Sequence, residues 1–206
     1  SFKQNRKIID EIAFDNELKK IIRNKLKTSN FSDFTDKRVQ FSRRIGWYTI
    51  ARILKPKIIV ETGVDKGMGA LVLCRALQKN KGEGFDGFYY GTEINMEAGY
   101  LLKGELAKFG KIIYGDSIKT LSEFRKKIDL FVNDSDHSAD YEYREYLTIR
   151  TKLNKNAIIL GDNSHETDKL LRFSVDNNRN FTFFKETPKD HWYPGAGIGI
   201  SYPKNK

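Results

Sequence analysis

Ile128-Asp129-Leu130-Phe131-Val132-Asn133-Asp134-Ser135-Asp136-His137 is a short apolar run that ends in a cluster of acids and an imidazole. Ala157-Ile158-Ile159-Leu160-Gly161-Asp162-Asn163-Ser164-His165 repeats the pattern further along the chain. Apolar runs this short, bounded by polar residues, mark strands buried on both faces of a parallel sheet. Open sheets of that kind bind ligands at the carboxyl ends of their strands. Two neighbouring strands that each end in Asp plus a nitrogen or amide group can hold a divalent cation and a base.

Working outward, strands are expected near 57–61, 87–92, 111–114, 128–133, 156–161, 181–185 and 197–202. Helices are expected between them, near 67–79, 96–109, 117–125, 139–152 and 165–177. Such alternation builds a parallel sheet with helices on both faces. The last two strands have no room for a helix between them, so that pair is antiparallel. Ahead of this, Ile8, Ile9, Ile12, Leu18, Ile21, Ile22 and Leu26 keep helical spacing and predict an amphipathic helix over 5–27. Thr35 or Asp36 is placed to cap a second helix running to Leu54 and ended by Lys55-Pro56. The expected architecture is a Rossmann-like, doubly wound α/β domain: a helical cap over 1–55 and a seven-stranded core over 56–206, its last strand antiparallel.

Composition sets the outer bounds. At 206 residues with 39% hydrophobic content the chain suits one soluble globular domain. No run approaches the ~18 apolar residues of a membrane span, and the Ser-Phe-Lys-Gln-Asn-Arg-Lys start has no apolar segment behind it to act as a signal peptide. The single Cys74 excludes an internal disulfide and fits a reducing cytoplasm. It sits in the apolar stretch Ala70-Leu71-Val72-Leu73-Cys74, where a buried inert thiol is expected. The net charge of +10 is spread over Lys19, Lys20, Arg23, Lys25, Lys27, Arg43, Arg44, Arg125, Lys126 and Lys127. With no aromatic-basic motif beside it, it reads as solvated helix faces, and neither nucleic acid nor membrane is an expected partner.

The first strand, Ile58-Ile59-Val60-Glu61, runs into Thr62-Gly63-Val64-Asp65-Lys66-Gly67-Met68-Gly69 and then a helix. A strand, a glycine turn and a helix grip nucleotide-containing cofactors, because glycine lets the backbone approach and the helix N-terminus offers free N–H groups. The spacing is wrong for a dinucleotide. Asp65 stands where G-x-G-x-x-G needs its second glycine, and Glu93 lies thirty residues past Gly63 rather than about 20. S-adenosylmethionine has no phosphate to repel Asp65, and its ammonium group favours nearby acids. Glu93 would chelate its ribose hydroxyls, and Asp116, in Gly115-Asp116-Ser117, would accept from its adenine amino group.

At the two opening strand ends, Asp134, Asp162 and Asn163 offer two carboxylates and an amide oxygen, the donor set of a hard cation such as Mg²⁺. A metal there lowers the pKa of a substrate hydroxyl and orients it. His137, neutral at pH 7, would take the proton. A plainer alternative stays open: Asp162, Asn163 and Ser164 could cap the next helix, and Asp136 the helix starting near Ala139. In the loop Lys189 to Gly197, His191, Trp192 and Tyr193 would either wall an acceptor pocket or cover the sheet edge.

Over roughly residues 40–202 the chain resembles the class I S-adenosylmethionine-dependent methyltransferases. The matching positions are Glu61-Thr62-Gly63 with Gly67, Glu93, Gly115-Asp116 and the segment Asp134 to His137; Asp65 departs from the family's glycine loop. The resemblance implies S-adenosylmethionine as methyl donor, held by Glu61, Gly63, Gly67, Glu93, Asp116, Ser117 and Asp134. The strand ends are also similar to the metal-dependent O-methyltransferases of the catechol and caffeoyl-coenzyme A type, whose metal ligands match Asp134, Asp162 and Asn163. That family's usual base is Lys; His137 in its place is shared with macrolide-sugar O-methyltransferases. The implied function is Mg²⁺-assisted methyl transfer to a hydroxyl of a small acceptor, a sugar or other natural product, with Asp134 and His137 catalytic. Asp136 is an alternative ligand or a support for His137, and the N-terminal helix a dimer or lid element. A metal-independent enzyme acting on RNA or another acceptor, and a non-catalytic S-adenosylmethionine-binding module, are the competing readings.

Overall fold

The computed structural model describes residues 2–27, 39–136, 138–187 and 195–204. Its centre is a seven-stranded sheet built from β1 (Ile58–Thr62), β2 (Phe88–Glu93), β3 (Gly110–Tyr114), β4 (Ile128–Asn133), β5 (Leu153–Gly161), β6 (Arg179–Lys185) and β7 (Gly197–Pro203). The spatial order is β3-β2-β1-β4-β5-β7-β6. Every pair from β3 across to β5 is parallel, and β7 runs antiparallel to both β5 and β6. Chain order reverses between β1 and β4, and a crevice opens at such a point.

Among the described residues seven α-helices accompany the sheet: α1 (Phe2–Ala13), α2 (Asn16–Lys27), α3 (Arg44–Leu54), α4 (Met68–Gly82), α5 (Ser117–Glu123), α6 (Ala139–Ile149) and α7 (Lys169–Asp176). One core joins Ile12, Leu18, Trp47, Leu71 and Leu73 of α1–α4 to Ile59, Leu130 and Leu160 of the sheet. The opposite face packs Leu121, Tyr146, Ile149, Leu170 and Phe173 of α5–α7 on Val60, Phe131 and Ile159. The alternation of neighbours along the central strands, one to each core, explains the apolar runs Ile58-Ile59-Val60, Leu130-Phe131-Val132 and Ile158-Ile159-Leu160. No helix among the described residues is long and apolar enough to cross a membrane.

The expected elements form with four differences, one being that the helix expected from Thr35 or Asp36 to Leu54 begins only at Arg44. The helix predicted over 5–27 is two helices. Its apolar spacing has a gap between Ile12 and Leu18, and there the Asp15 carboxylate accepts the Leu18 amide at 2.8 Å and caps α2. The helix predicted over 96–109 is a chain of turns followed by a 3-10 helix, Gly104–Phe109. The amides of Gly99 and Leu101 donate to the carbonyls of Asp65 and Lys66 at 2.6 and 3.0 Å, so this backbone bonds to the glycine turn instead of to itself. The last helix starts at Lys169, not near 165. The end of α3 is as expected: Lys55 adopts a left-handed φ of 50° and Pro56 follows. The proposed caps Thr35 and Asp36 lie outside the described residues.

Asp15 also ties the helical cap to the core, because Arg75 of α4 donates to it at 2.8 Å in a largely buried pair. Asp15→Ala removes a helix cap and leaves Arg75 short of a partner, and it should lower unfolding free energy by about 2 kcal/mol in urea titrations. Asp10→Ala, which breaks only the exposed pair with Arg6, should cost less than about 0.5 kcal/mol.

Candidate functional site

At the reversal point the carboxyl ends of β1, β2, β3 and β4 surround a cleft of about 650 Å³. The turn after β1 forms one wall. Gly63 there has a φ of +77°, and a Cβ on it would lie 2.0 Å from the Asp134 carbonyl oxygen. Only glycine lets the β1 turn pass so close to the end of β4. Gly63, Val64 and Asp65 line the cleft. Gly67 does not; it begins α4 and touches the backbone of Gly99.

Glu61 lies behind this turn, 1% exposed, and accepts the Tyr89 hydroxyl at 2.5 Å. Gly69 makes room for it, since a Cβ there would stand 2.2 Å from the Glu61 Oε1. Burial pushes the Glu61 carboxyl up to about 7. Glu93, at the end of β2, lines the cleft and braces the turn: one oxygen accepts the amides of Val64 and Asp65 at 3.0 and 2.9 Å, the other the amide of Asn95 at 2.9 Å.

Asp116 and Ser117 line the far wall. Asp116 caps α5 through the Lys119 amide at 2.8 Å and accepts the Tyr141 hydroxyl at 2.7 Å. The Lys119 amide and then the Tyr141 hydroxyl hold its carboxyl below the ordinary value. Ser117 meets Tyr141 at 2.9 Å and donates to Glu145. Beneath the floor, the buried Glu145 also gathers Thr62 at 3.2 Å, Ser135 at 2.8 Å and Asn133. Desolvation raises its pKa. Sequence reasoning missed Tyr141 and Glu145, although a signal existed: Glu142, Glu145, Tyr146 and Ile149 fall on one face of α6, so two acids occupy the apolar stripe.

Asp134, Ser135 and Asp136 close the inner end of the cleft, joined by Arg43 and Arg44 from the start of α3. The expected pair does come together, close enough for the Asp134 and Asp162 carboxyls to act on each other. Burial and the neighbouring Asp162 charge hold the Asp134 carboxyl well above the usual carboxylate range. Arg43 grips Asp162, with Nη2 donating at 2.6 Å and Nε against the other oxygen, and Arg44 stands 4.0 Å from Asp134. The arginines were read from the sequence only as solvated charge; instead they are half-buried counterions of the acid pair.

That arrangement does not fit the expected Mg²⁺ set. Asp162 is ion-paired to the Arg43 guanidinium through both oxygens, and Asn163 is fully buried and away from the cleft lining, its backbone carbonyl accepting the amides of Glu166 and Thr167 at 2.8 and 3.0 Å. Among the described residues no cluster of three His, Cys, Asp or Glu could hold a metal. A guanidinium thus stands where the sequence reading places a cation. The capping alternative fails for Asp162, Asn163 and Ser164, since α7 begins only at Lys169, whereas Asp136 does accept the Ser138 amide at 2.6 Å ahead of α6. His165 turns back on the Asp162 carbonyl at 3.2 Å. His137, His191, Trp192 and Tyr193 lie outside the described residues.

The sheet order, with its single reversed strand, and a glycine-turn cleft at the reversal point define the class I methyltransferase fold. The methyltransferase-domain family model matches residues 60–164, half of the sequence, and the chain belongs to that family. Many solved structures share the fold, and three of them illustrate the likeness. The O-methyltransferase TomG from Streptomyces achromogenes, involved in tomaymycin synthesis and solved with SAM, has a TM-score of 0.66 at 16% identity, covering 93% of this chain and 91% of that one. An O-methyltransferase from Bacillus cereus in complex with SAH has a TM-score of 0.67 at 14% identity, covering 95% of each chain. The SAH-bound Podospora anserina methyltransferase PaMTH1 has a TM-score of 0.63 at 18% identity, covering 98% and 95%. At these identities the likeness is one of fold. Among curated proteins none matches.

The Glu61 shift has a definite sign. In the folded protein Glu61 keeps its proton to about pH 7, whereas in the unfolded chain a Glu releases it near 4.3. Its contribution to stability is therefore complete below pH 4 and is lost as pH rises toward 7. In denaturant titrations from pH 5 to 8, Glu61→Gln should flatten that decline, so the variant gains on the wild type as pH rises.

Proposed function

We propose that the chain transfers a methyl group from S-adenosylmethionine to a hydroxyl oxygen of a small acceptor, with residues 56–206 as the transferase core and 1–55 as a cap. The observation that carries this reading is the cleft itself. Its glycine turn admits a ligand close to the backbone, and its walls carry Asp65, Glu93, Asp116 and Asp136. Such an acidic cleft suits a cationic cofactor without phosphates and disfavours a dinucleotide.

When bound, the cofactor supplies an electrophilic methyl on a sulfonium. The chain's own residues do the rest. Glu93 fixes the turn, and its carboxylate borders the cleft beside Thr92 and Asn95, the position for ribose hydroxyls. Asp116 and Ser117 border the adenine end, and Asp134 stands at the inner end, where the acceptor oxygen must arrive. The reaction forms an oxygen–carbon bond, breaks the sulfur–carbon bond and frees one hydroxyl proton. We assign that proton to His137, three residues beyond Asp134 in the sequence, with Asp134 orienting the hydroxyl. Arg43 holds Asp162 and thereby fixes Asp134.

Calorimetric titration with S-adenosylmethionine should give saturable binding; no heat at millimolar concentration would overturn the reading. Turnover is read as labelled-methyl transfer over a panel of hydroxylated metabolites, and tight cofactor binding with no turnover on any of them would leave a binding module. His137→Ala should cost about 10²–10⁴-fold in kcat with little change in cofactor affinity. Because Arg43 occupies Asp162, a chelator should leave the rate within about twofold. A chelator-induced loss restored by Mg²⁺ would show that a cation displaces Arg43.

A further inference from the structure

Behind Arg43 lies a second cavity of about 650 Å³, between α3 with Ile9 of α1 on one side and the β5-β7-β6 end of the sheet on the other. Antiparallel register puts Ile200 between Leu160 and Thr182, and Ile198 beside Phe184. Ile45, Trp47 and Ile50 of α3 face this apolar floor across the cavity. The volume is within the roughly 300–1,000 Å³ of small-molecule sites. Arg43 lines this cavity and the cofactor cleft alike, so the two spaces meet at the acid pair.

We infer that this cavity receives the methyl acceptor, and that the acceptor is an uncharged hydroxy compound with an apolar, ring-sized body, such as a phenol, rather than a sugar. The inference rests on the methyltransferase reading and narrows its substrate. A sugar buried here would leave most of its hydroxyls facing isoleucine, leucine and phenylalanine, and each unsatisfied buried hydroxyl costs about 1–3 kcal/mol. An apolar ring instead gains from every contact with those side chains. Arg43 is the polar group that lines both cavities, and Ser42, Thr49, Thr182, Lys185, Glu186 and Thr187 make up the rest of the polar lining. Arg43 there faces Asp134, Asp162 and Glu186, and Arg44 faces Asp134. Both guanidinium groups already face acids, and the cavity lining carries one further cation, Lys185. The acceptor's hydroxyl lies at Arg43 and Asp134, its body against Leu160, Ile198 and Ile200.

Gly46 supplies the test. It lines the cavity, and a Cβ built on it meets nothing within 4 Å, so a larger side chain fits without disturbing α3. Gly46→Trp and, from the opposite wall, Ile200→Trp are compared with wild type by calorimetry, using 1-naphthol and methyl α-glucopyranoside with S-adenosylhomocysteine at saturation. The expected result is binding of 1-naphthol and none of the glucoside, with both variants weakening 1-naphthol at least about tenfold while S-adenosylhomocysteine affinity stays within about twofold. Unchanged 1-naphthol affinity in both variants, or tighter binding of the glucoside, would overturn the inference. A change in sedimentation with 1-naphthol affinity intact would also overturn it and assign the face to a second copy of the chain. Failure of wild type to bind S-adenosylhomocysteine would sink the methyltransferase reading itself.

Discussion

The grip of Arg43 on Asp162 is the contact on which the site depends. It joins the start of α3, in the helical cap, to the end of β5, 119 residues away in sequence. Asp162 is 3% exposed, and a buried carboxylate of that kind needs a counterion and donors to offset its lost hydration. Arg43 meets the need and, through Asp162, bears on Asp134 at the end of β4. Removing the guanidinium would leave two acids facing each other underground. The cap is therefore part of the site: the end of the cleft where chemistry is proposed is assembled half from the cap and half from the sheet.

The same logic orders the rest of the cleft. Each strand end supplies one acid, and each acid is held by something other than a ligand. Glu93 is held by the amides of the β1 turn, Asp116 by the first turn of α5 and by Tyr141, and Asp162 by Arg43. Below them Glu145 ties β1, β4 and α5 together through Thr62, Asn133 and Ser117. Carboxylates positioned this way lose little further freedom when a ligand arrives, which is how a cleft walled by loops binds with definite geometry.

Strands were legible because burial on both faces forces short, unbroken apolar runs, and the strand ends were legible because polar residues resume at once. The reversal at β7 followed from the lack of room for a helix. The segment 96–109 was misread for a local reason with a distant cause: its composition permits a helix, but its amides are taken by Asp65 and Lys66 across the turn. Asp15 likewise read as one position in a continuous amphipathic pattern, whereas it breaks the helix and binds Arg75 sixty residues on. Arg43 and Arg44 were least legible of all. Nothing local distinguishes them from the other basic residues of a chain with net charge +10, and only the fold shows which arginines face acids.

A guanidinium and a divalent cation are not equivalent at this position. The cation lowers the pKa of a bound hydroxyl by several units, while a delocalised single charge already paired with Asp162 does far less. The proton must then leave largely by the acceptor's own acidity and the pull of a nearby base. A phenolic hydroxyl, with a pKa near 10 as in tyrosine, is within reach of an imidazole under those conditions; an aliphatic hydroxyl, closer to water at 15.7, is much farther. On the proposed reading, the apolar cavity and the arginine constrain the acceptor from two directions. One rejects a body covered in hydroxyls, and the other selects a hydroxyl that ionises without a metal.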